Sequence, residues 1–176
     1  MTKTIKIENL PTLRKIPSKN ICDYLAEGAA ICLKISNHPK GVELSIEGSF
    51  TGKLNLDFDE VNQAVLDSWA DLREATEAGA TCLALWIIEQ FTDLKVIRRS
   101  FQSTGFDYWL GKKQDNFPFK DAARLEVSGL LNESIGRVNQ RMKEKIAQVE
   151  KSSHTKLPAY IIVIEFSHPL AKTTIV

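Results

Sequence analysis

Two acidic residues stand in segments that otherwise read as strand: Asp107 in TGFDYWLG (104–111) and Glu126 in AARLEVSGL (122–130). Aromatic and β-branched neighbours favour a pleated, half-buried surface, where a carboxylate is costly unless it is paired, exposed or bound to a cation. Period-two alternation puts Asp107 and Trp109 on one face of the first segment, and Phe106, Tyr108 and Leu110 on the other. In the second, Arg124, Glu126 and Ser128 share a face opposed by Leu125 and Val127. Adjacent strands therefore each carry a central carboxylate able to lie on the same side. Two carboxylates within about 4–6 Å repel, and one keeps its proton unless a cation lies between them. Hard oxygen donors so arranged suit Mg²⁺ or Mn²⁺, which take one or two carboxylates together with waters and a substrate phosphate. The same spacing also describes a solvated face whose acids pair with Arg124, Arg98 or Arg99.

A second set of polar residues comes from NESIGRVNQRMKEKIAQVEKS (132–152), where Ile135, Val138, Met142, Ile146 and Val149 form one helical stripe and Asn132 can cap the start. At 100° per residue, Arg137, Arg141, Lys145 and Gln148 fall on a flank beside that stripe. From there they can skirt a sheet and reach an anion over its polar face. An ordinary polar flank, with Arg141 or Lys145 serving Glu144, has the same pattern.

The elements that would position these groups follow from periodicity. In residues 1–58, a short helix over 18–27 with Ser18 as its cap precedes three alternating runs, AICLKIS, VELSIEG and KLNLDF, separated by the turn sequences NHPKG and GSFTG. They predict an N-terminal antiparallel β-meander with one apolar face. Residues 59–90 predict one long helix capped by Asp57 or Asp59, with Leu72, Gly79, Leu83, Trp86 and Gln90 at helical spacing and Gly79 marking close packing or a break. Its end, CLALWIIEQF, is apolar nearly all round and so is expected to be buried on more than one side. LKVIRRSF, GFDYWLG and AARLEVSGL then predict three strands, the last two joined by the longer KKQDNFPFKD. The helix described above follows, and AYIIVIEF is a continuous apolar run that reads as a strand covered on both faces. A crossover helix between AARLEVSGL and AYIIVIEF makes those two strands parallel, and KTTIV adds an edge strand. The fold class is α/β, with a β-rich subdomain at 1–58 and an α/β core at 59–176.

Composition narrows the context. With 176 residues, 43% hydrophobic and 26% charged, the chain has the make-up of a soluble globular protein of one domain, or one with a small attached subdomain. No apolar run approaches the roughly 20 residues needed to span a bilayer, and the start, MTKTIKIENLPTLRK, lacks the apolar segment of a secretory signal, so a cytoplasmic location is expected. Cys22, Cys32 and Cys82 form no CxxC pair and are expected to be reduced and structural; His38, His154 and His168 have no second ligand at metal spacing and are expected at the surface. There is no internal repeat and no low-complexity linker. Residues 1–93 carry 9 Lys and Arg against 14 Asp and Glu, whereas 94–156 carry 13 against 7. The basic excess in the second block is what a polyanion site requires, and also what a solvated face shows.

The order helix with acids (REATEAGA), strand ending in arginines (VIRRS), TGFDYWLG, ARLEVSGL, helix and apolar strand resembles the core of the PD-(D/E)xK phosphodiesterases, the restriction-endonuclease-like superfamily, over residues 70–170. The resemblance implies that Asp107 and Glu126 are ligands for Mg²⁺ or Mn²⁺ and that Glu77, or Glu74, is the additional helix ligand found in some branches. Helical phasing turns both of these glutamates away from the Leu72/Leu83 stripe. It further implies a metal-dependent endonuclease acting on DNA, with Arg98, Arg99, Arg124 and Arg137 as phosphate contacts. The chain departs from the superfamily pattern where a lysine is expected after the glutamate: it has Ser128, which supplies no cation. Some members recruit a replacement from the following helix, for which Arg141, Lys145 and Gln148 lie on the required flank. Others keep the fold and bind nucleic acid or a partner protein without cutting. The N-terminal meander is a candidate homodimer or partner surface in either case.

Overall fold

The computed structural model describes residues 2–13, 16–112 and 122–176. Its strands are β1 Lys3–Lys6, β2 Val42–Gly48, β3 Gly52–Asp57, β4 Lys95–Arg99, β5 Tyr108–Gly111, β6 Ala123–Leu130, β7 Ala159–Glu165 and β8 Leu170–Ile175. The helices are α1 Lys19–Ile35, α2 Gln63–Ser68, α3 Leu72–Phe91 and α4 Ile135–Val149, with 3-10 helices at Ile7–Leu13 and Glu150–Thr155. Most of the KKQDNFPFKD connection lies outside the described residues.

Among the described residues, eight strands form one mixed sheet in the spatial order β1-β3-β2-β8-β7-β6-β5-β4. The strands from 1–58 and those from 59–176 belong to this same sheet. β6 and β7 are parallel, from Arg124 opposite Ala159 to Leu130 opposite Glu165, as the crossover through α4 requires. β5 runs antiparallel to both β4 and β6. No helix among the described residues is long and apolar enough to cross a membrane.

Several expected boundaries are corrected. AICLKIS is the last part of α1, a 17-residue helix, and not a strand. Ala29, Ala30, Ile31, Cys32 and Leu33 are all buried, and a helix covered on every side loses the 3.6-residue contrast that separates it from a buried strand. The expected three-strand meander is therefore the β2–β3 hairpin, joined by β1 lying parallel to β3. The helix expected over 59–90 is two helices, capped by Asn62 and Asp71 in place of Asp57 or Asp59; each cap side chain accepts a backbone N–H bond. Ser18 does precede α1, without a side-chain cap bond. Ser134, not Asn132, caps α4, and Ile135, expected in the apolar stripe, is 55% exposed. The C-terminal strand is not at an edge: β8 pairs antiparallel with β7 and parallel with β2.

α3 explains how one face of the sheet is covered. Its small residues let α1 approach: a Cβ on Gly79 would lie 2.8 Å from Ala29 Cα, and one on Gly28 would lie 2.9 Å from Ala78 Cβ. The two helices thus cross with nearly bare backbones in contact, which is the close-packing role expected of Gly79. The other side of α3 rests on the sheet, where Leu125, Val127, Tyr108, Leu110 and Ile162 join it in the main core. α4 covers the opposite face through Val138, Met142 and Val149 against Ala159, Ile161 and Val163. Cys22, Cys32 and Cys82 are buried thiols that form no disulfide with one another. His154 and His168 are exposed, while His38 is half-buried and bonds the Phe166 carbonyl.

Candidate active site

β5 begins part-way along β6, and the two strands part at that point. Tyr108 opposes Leu125, so the same antiparallel register sets Asp107 against Glu126. Asp107 is held on both sides through its backbone: its N–H donates to the Leu125 carbonyl (2.8 Å), and its own carbonyl accepts from the Ser100 N–H (2.7 Å). Beyond it, β6 continues without a β5 partner. The Val127 N–H, which would otherwise face an empty edge, donates to Asp107 Oδ2 at 2.8 Å. Tyr108 and Leu110 are buried in the main core as expected from alternation, whereas Phe106, also buried, packs edge-on against Trp109 with ring centres 4.8 Å apart and not with those two. The aromatic residues around Asp107 therefore anchor the strand, while the carboxylate projects into the fork.

Glu126 is 1% exposed, on the face of β6 covered by α4. Its Oε1 accepts from Lys145 Nζ (2.6 Å) and from Gln148 Nε2 (2.9 Å), and Lys145 also donates to Gln148 Oε1 (3.0 Å). Arg141 Nη1 donates to Ser128 Oγ at 3.3 Å and ion-pairs through Nε with Glu144. The flank Arg141, Lys145, Gln148 thus does reach the polar face of the sheet, two turns of α4 spanning Glu126 and Ser128. Glu144 is a partner for Arg141 and Arg137, not for Lys145.

The antiparallel register brings the two carboxyl groups side by side, and the Asp107 charge acts on Glu126. Burial raises the Asp107 pKa, opposed by the Val127 N–H and by Lys145. Burial, followed by the neighbouring Asp107 charge, pushes Glu126 up to about 7, opposed by Lys145. Glu126 Oε2 is buried and has no hydrogen-bond partner. An orphaned carboxylate oxygen beside a second carboxylate is the environment a divalent cation would relieve, so the donor chemistry fits Mg²⁺ or Mn²⁺. Among the described residues, no group of three His, Cys, Asp or Glu side chains gathers around a common point. A cation held by Asp107 and Glu126 would complete its shell with water and substrate oxygens.

A cleft of about 600 Å³ opens over the fork, with Asp107 and Val127 in its floor. Lys145 and Arg141 form one wall; Ile21, Tyr24 and Leu25 of α1 and Glu74 and Glu77 of α3 form the other. Glu77 is exposed and pairs with Arg73 at 3.4 Å, while Glu74 accepts from Tyr24 Oη at 2.7 Å. A second cleft of about 280 Å³ lies on the other side of Asp107, between the β4–β5 loop and the end of α4, and includes Glu126, Gln148, Lys151 and Arg99.

The remaining predicted contacts separate. Arg99 is exposed and borders both clefts. Arg98 lies over the Phe101 ring, 5.2 Å from its centre. Arg137 pairs with Glu144 at 2.9 Å. Arg124 does not fit its predicted role as a phosphate contact: it is 4% exposed. Its guanidinium donates to the Val149 and Leu157 carbonyls and to Ser152 Oγ, tying the end of α4 to the start of β7. Glu126 takes its ion pair from Lys145 and not from Arg98, Arg99 or Arg124, while the Arg99 charge acts on Asp107.

Sequence reasoning missed Ile21 and Tyr24, which lie in the N-terminal third, outside the part of the chain carrying the recognisable pattern. Both project from the exposed side of α1, where nothing in the local sequence marks a site. It also missed the Val127 backbone N–H, for which no side-chain pattern gives a signal. Comparison of the chain with protein-family models, curated proteins and solved structures returns no match.

Proposed function

We propose that the protein is a divalent-cation-dependent phosphodiesterase of the endonuclease type, acting on DNA through the fork between β5 and β6. The observation that carries this reading is the meeting of Asp107 and Glu126 at the fork, with Lys145 Nζ 2.6 Å from Glu126 where Ser128 leaves the strand without a cation. The element order α3, β4–β5–β6, α4, β7, with β6 parallel to β7, supports it as the arrangement expected of a restriction-endonuclease-like core.

Asp107 and Glu126 would hold Mg²⁺ or Mn²⁺. When bound, the ion would polarise the scissile phosphate and make its coordinated water acidic. The protein's own groups do the rest. Lys145 is held between Glu126 and Gln148, so its ammonium has a fixed direction and can donate to a phosphate oxygen at the cleft wall. Arg99 and Arg141 flank the floor and can orient neighbouring phosphates without reading base identity. Burial of the Asp107–Glu126 pair keeps bulk water from screening these charges.

One observation favours a second reading. Lys145 already neutralises one Glu126 oxygen internally, which suits a nuclease-like fold that binds nucleic acid and no longer cuts. Incubation with Mg²⁺ or Mn²⁺ and supercoiled, single-stranded or branched DNA separates the two. Cleavage that disappears in Asp107→Ala supports the phosphodiesterase. Equal inertness of wild type and Asp107→Ala with every metal and substrate leaves the binding protein.

A further inference from the structure

The cleft over the fork is not isolated. It shares Arg99 and Asp107 with the cleft beside the β4–β5 loop. On its other side it shares Glu77, Gly129 and Arg141 with a third cleft of about 270 Å³ that runs between α3 and the end of β6. Together they make a narrow trough with Asp107 near its middle. Cations follow it from end to end: Lys151 and Arg99, then Lys145 and Arg141, then Arg73. The acids on the opposite wall, Glu74 and Glu77, are engaged by Tyr24 and Arg73, so an anionic chain would run along the α4 side.

At the Lys151 end the trough is bordered by an aromatic ring that no fold requirement explains. Phe101 is 71% exposed, and the Arg98 guanidinium lies over it, 5.2 Å from the ring centre. The loop carrying it is hydrogen-bonded internally. Ser100 and Thr104 share a hydroxyl bond at 2.6 Å, and Thr104 Oγ1 donates to the Phe101 carbonyl. Gly105 sits so close to α4 that a Cβ there would lie 2.8 Å from the Gln148 carbonyl. A hydrogen-bonded loop presenting a largely exposed ring, backed by Arg98, beside a line of cations has the two components of a single-strand platform: a face for a base and a track for phosphates. A duplex stacks its bases on one another and offers no free face to Phe101, and its second strand would have to be accommodated beside the α1 wall of Ile21 and Tyr24.

We propose that the trough takes one unpaired nucleic-acid strand, whose backbone follows Lys151, Arg99 and Arg141 past Asp107 while a base stacks on Phe101. This rests on the phosphodiesterase reading for its choice of polyanion, and it makes single-stranded or frayed DNA the substrate class. Fluorescence anisotropy with a labelled mixed-sequence DNA oligonucleotide, single-stranded or annealed to a blunt duplex, tests it on the full chain in EDTA. The expected result is binding of the single strand at least about tenfold tighter than the duplex, with Phe101→Ala weakening the single strand at least about fivefold and leaving the duplex unchanged. Phe101→Trp should retain the affinity. Lys151→Gln should make the log–log salt slope for the single strand shallower by about 0.7. Phe101 is outside the core, so these variants test the surface and not the fold. Equal affinity for both DNA forms, or a Phe101→Ala variant that binds like wild type, overturns the proposal. The parallel Mn²⁺ cleavage assay keeps the two readings apart. Asp107-dependent cutting of duplex without single-strand preference would sink the trough and keep the phosphodiesterase; Phe101-dependent single-strand binding with no cutting would do the reverse.

Discussion

Lys145 and Glu126 meet across the α4–β6 interface, Nζ to Oε1 at 2.6 Å, at the point where Asp107 from the neighbouring strand also arrives. One helix residue therefore brings an ammonium group to the face of β6 that carries Glu126 and Ser128. Its position depends on α4 being clamped at its end by Arg124 and seated by Val138 and Met142.

If Lys145 serves as the cation that Ser128 cannot supply, Lys145→Ala should lower the rate of DNA cleavage about 10²–10³-fold, the usual cost of a lost electrostatic stabiliser. Adding Ser128→Lys to Lys145→Ala should recover part of the loss, since the new ammonium would start from the same face of β6. Single-turnover cleavage rates check both. A double variant no faster than Lys145→Ala would show that position 128 does not address the same site.

The Glu126 carboxyl gives a pH dependence of definite sign. Its pKa in the fold, about 7, lies above its ordinary value of 4.5, so the native state holds the proton more tightly than the unfolded chain. Stability of the metal-free protein should fall as pH rises from about 4.5 to about 7 and then level off. Glu126→Gln should flatten that part of the profile. Denaturant midpoints measured in EDTA across this range test it; a wild-type profile that rises through the window contradicts the assignment.

Gly79 sets two effects against each other. Alanine would gain about 1 kcal/mol of helix propensity, but its Cβ would lie 2.8 Å from the Ala29 backbone, which has no side-chain freedom to yield. Overpacking costs about 1–3 kcal/mol, so Gly79→Ala should be destabilising, and Gly79→Leu far more so. A thermal midpoint for Gly79→Ala above that of wild type would show that α1 and α3 have room to separate.

Arg124 should behave as a structural residue. Arg124→Ala removes charge-assisted bonds to Val149, Ser152 and Leu157 and leaves their oxygens buried. A loss of about 3 kcal/mol is expected, or roughly 6–12 °C in thermal midpoint for a chain of this size. DNA affinity of the folded fraction should change little. A large affinity loss with an unchanged midpoint would restore Arg124 to the nucleic-acid surface.

The strand alternation around Asp107 and Glu126 was legible because each strand has one face packed in the main core: Tyr108, Leu110, Leu125 and Val127 all point the same way. The helical flank Arg141–Lys145–Gln148 was legible because α4 is covered on one side only. α1 was not legible at its end, where burial on every side removes the amphipathic contrast. The interior place of β8 could not be read from KTTIV, because its pairing with β2 joins residues more than a hundred positions apart, such as Ile46 and Ala171. Arg124 was misplaced because alternation fixes a face and does not say what covers it. The cleft itself needs α1, α3, β5, β6 and α4 together, and no local pattern encodes that meeting.

The most direct test of the central claim is calorimetric titration of Mn²⁺ into the metal-free wild type and into Asp107→Ala, with circular dichroism verifying that the variant is folded. A defined site in the wild type that is at least about tenfold weaker in Asp107→Ala is the result predicted for a cation held between Asp107 and Glu126. Superimposable titrations, or a wild type that binds no Mn²⁺, would contradict it.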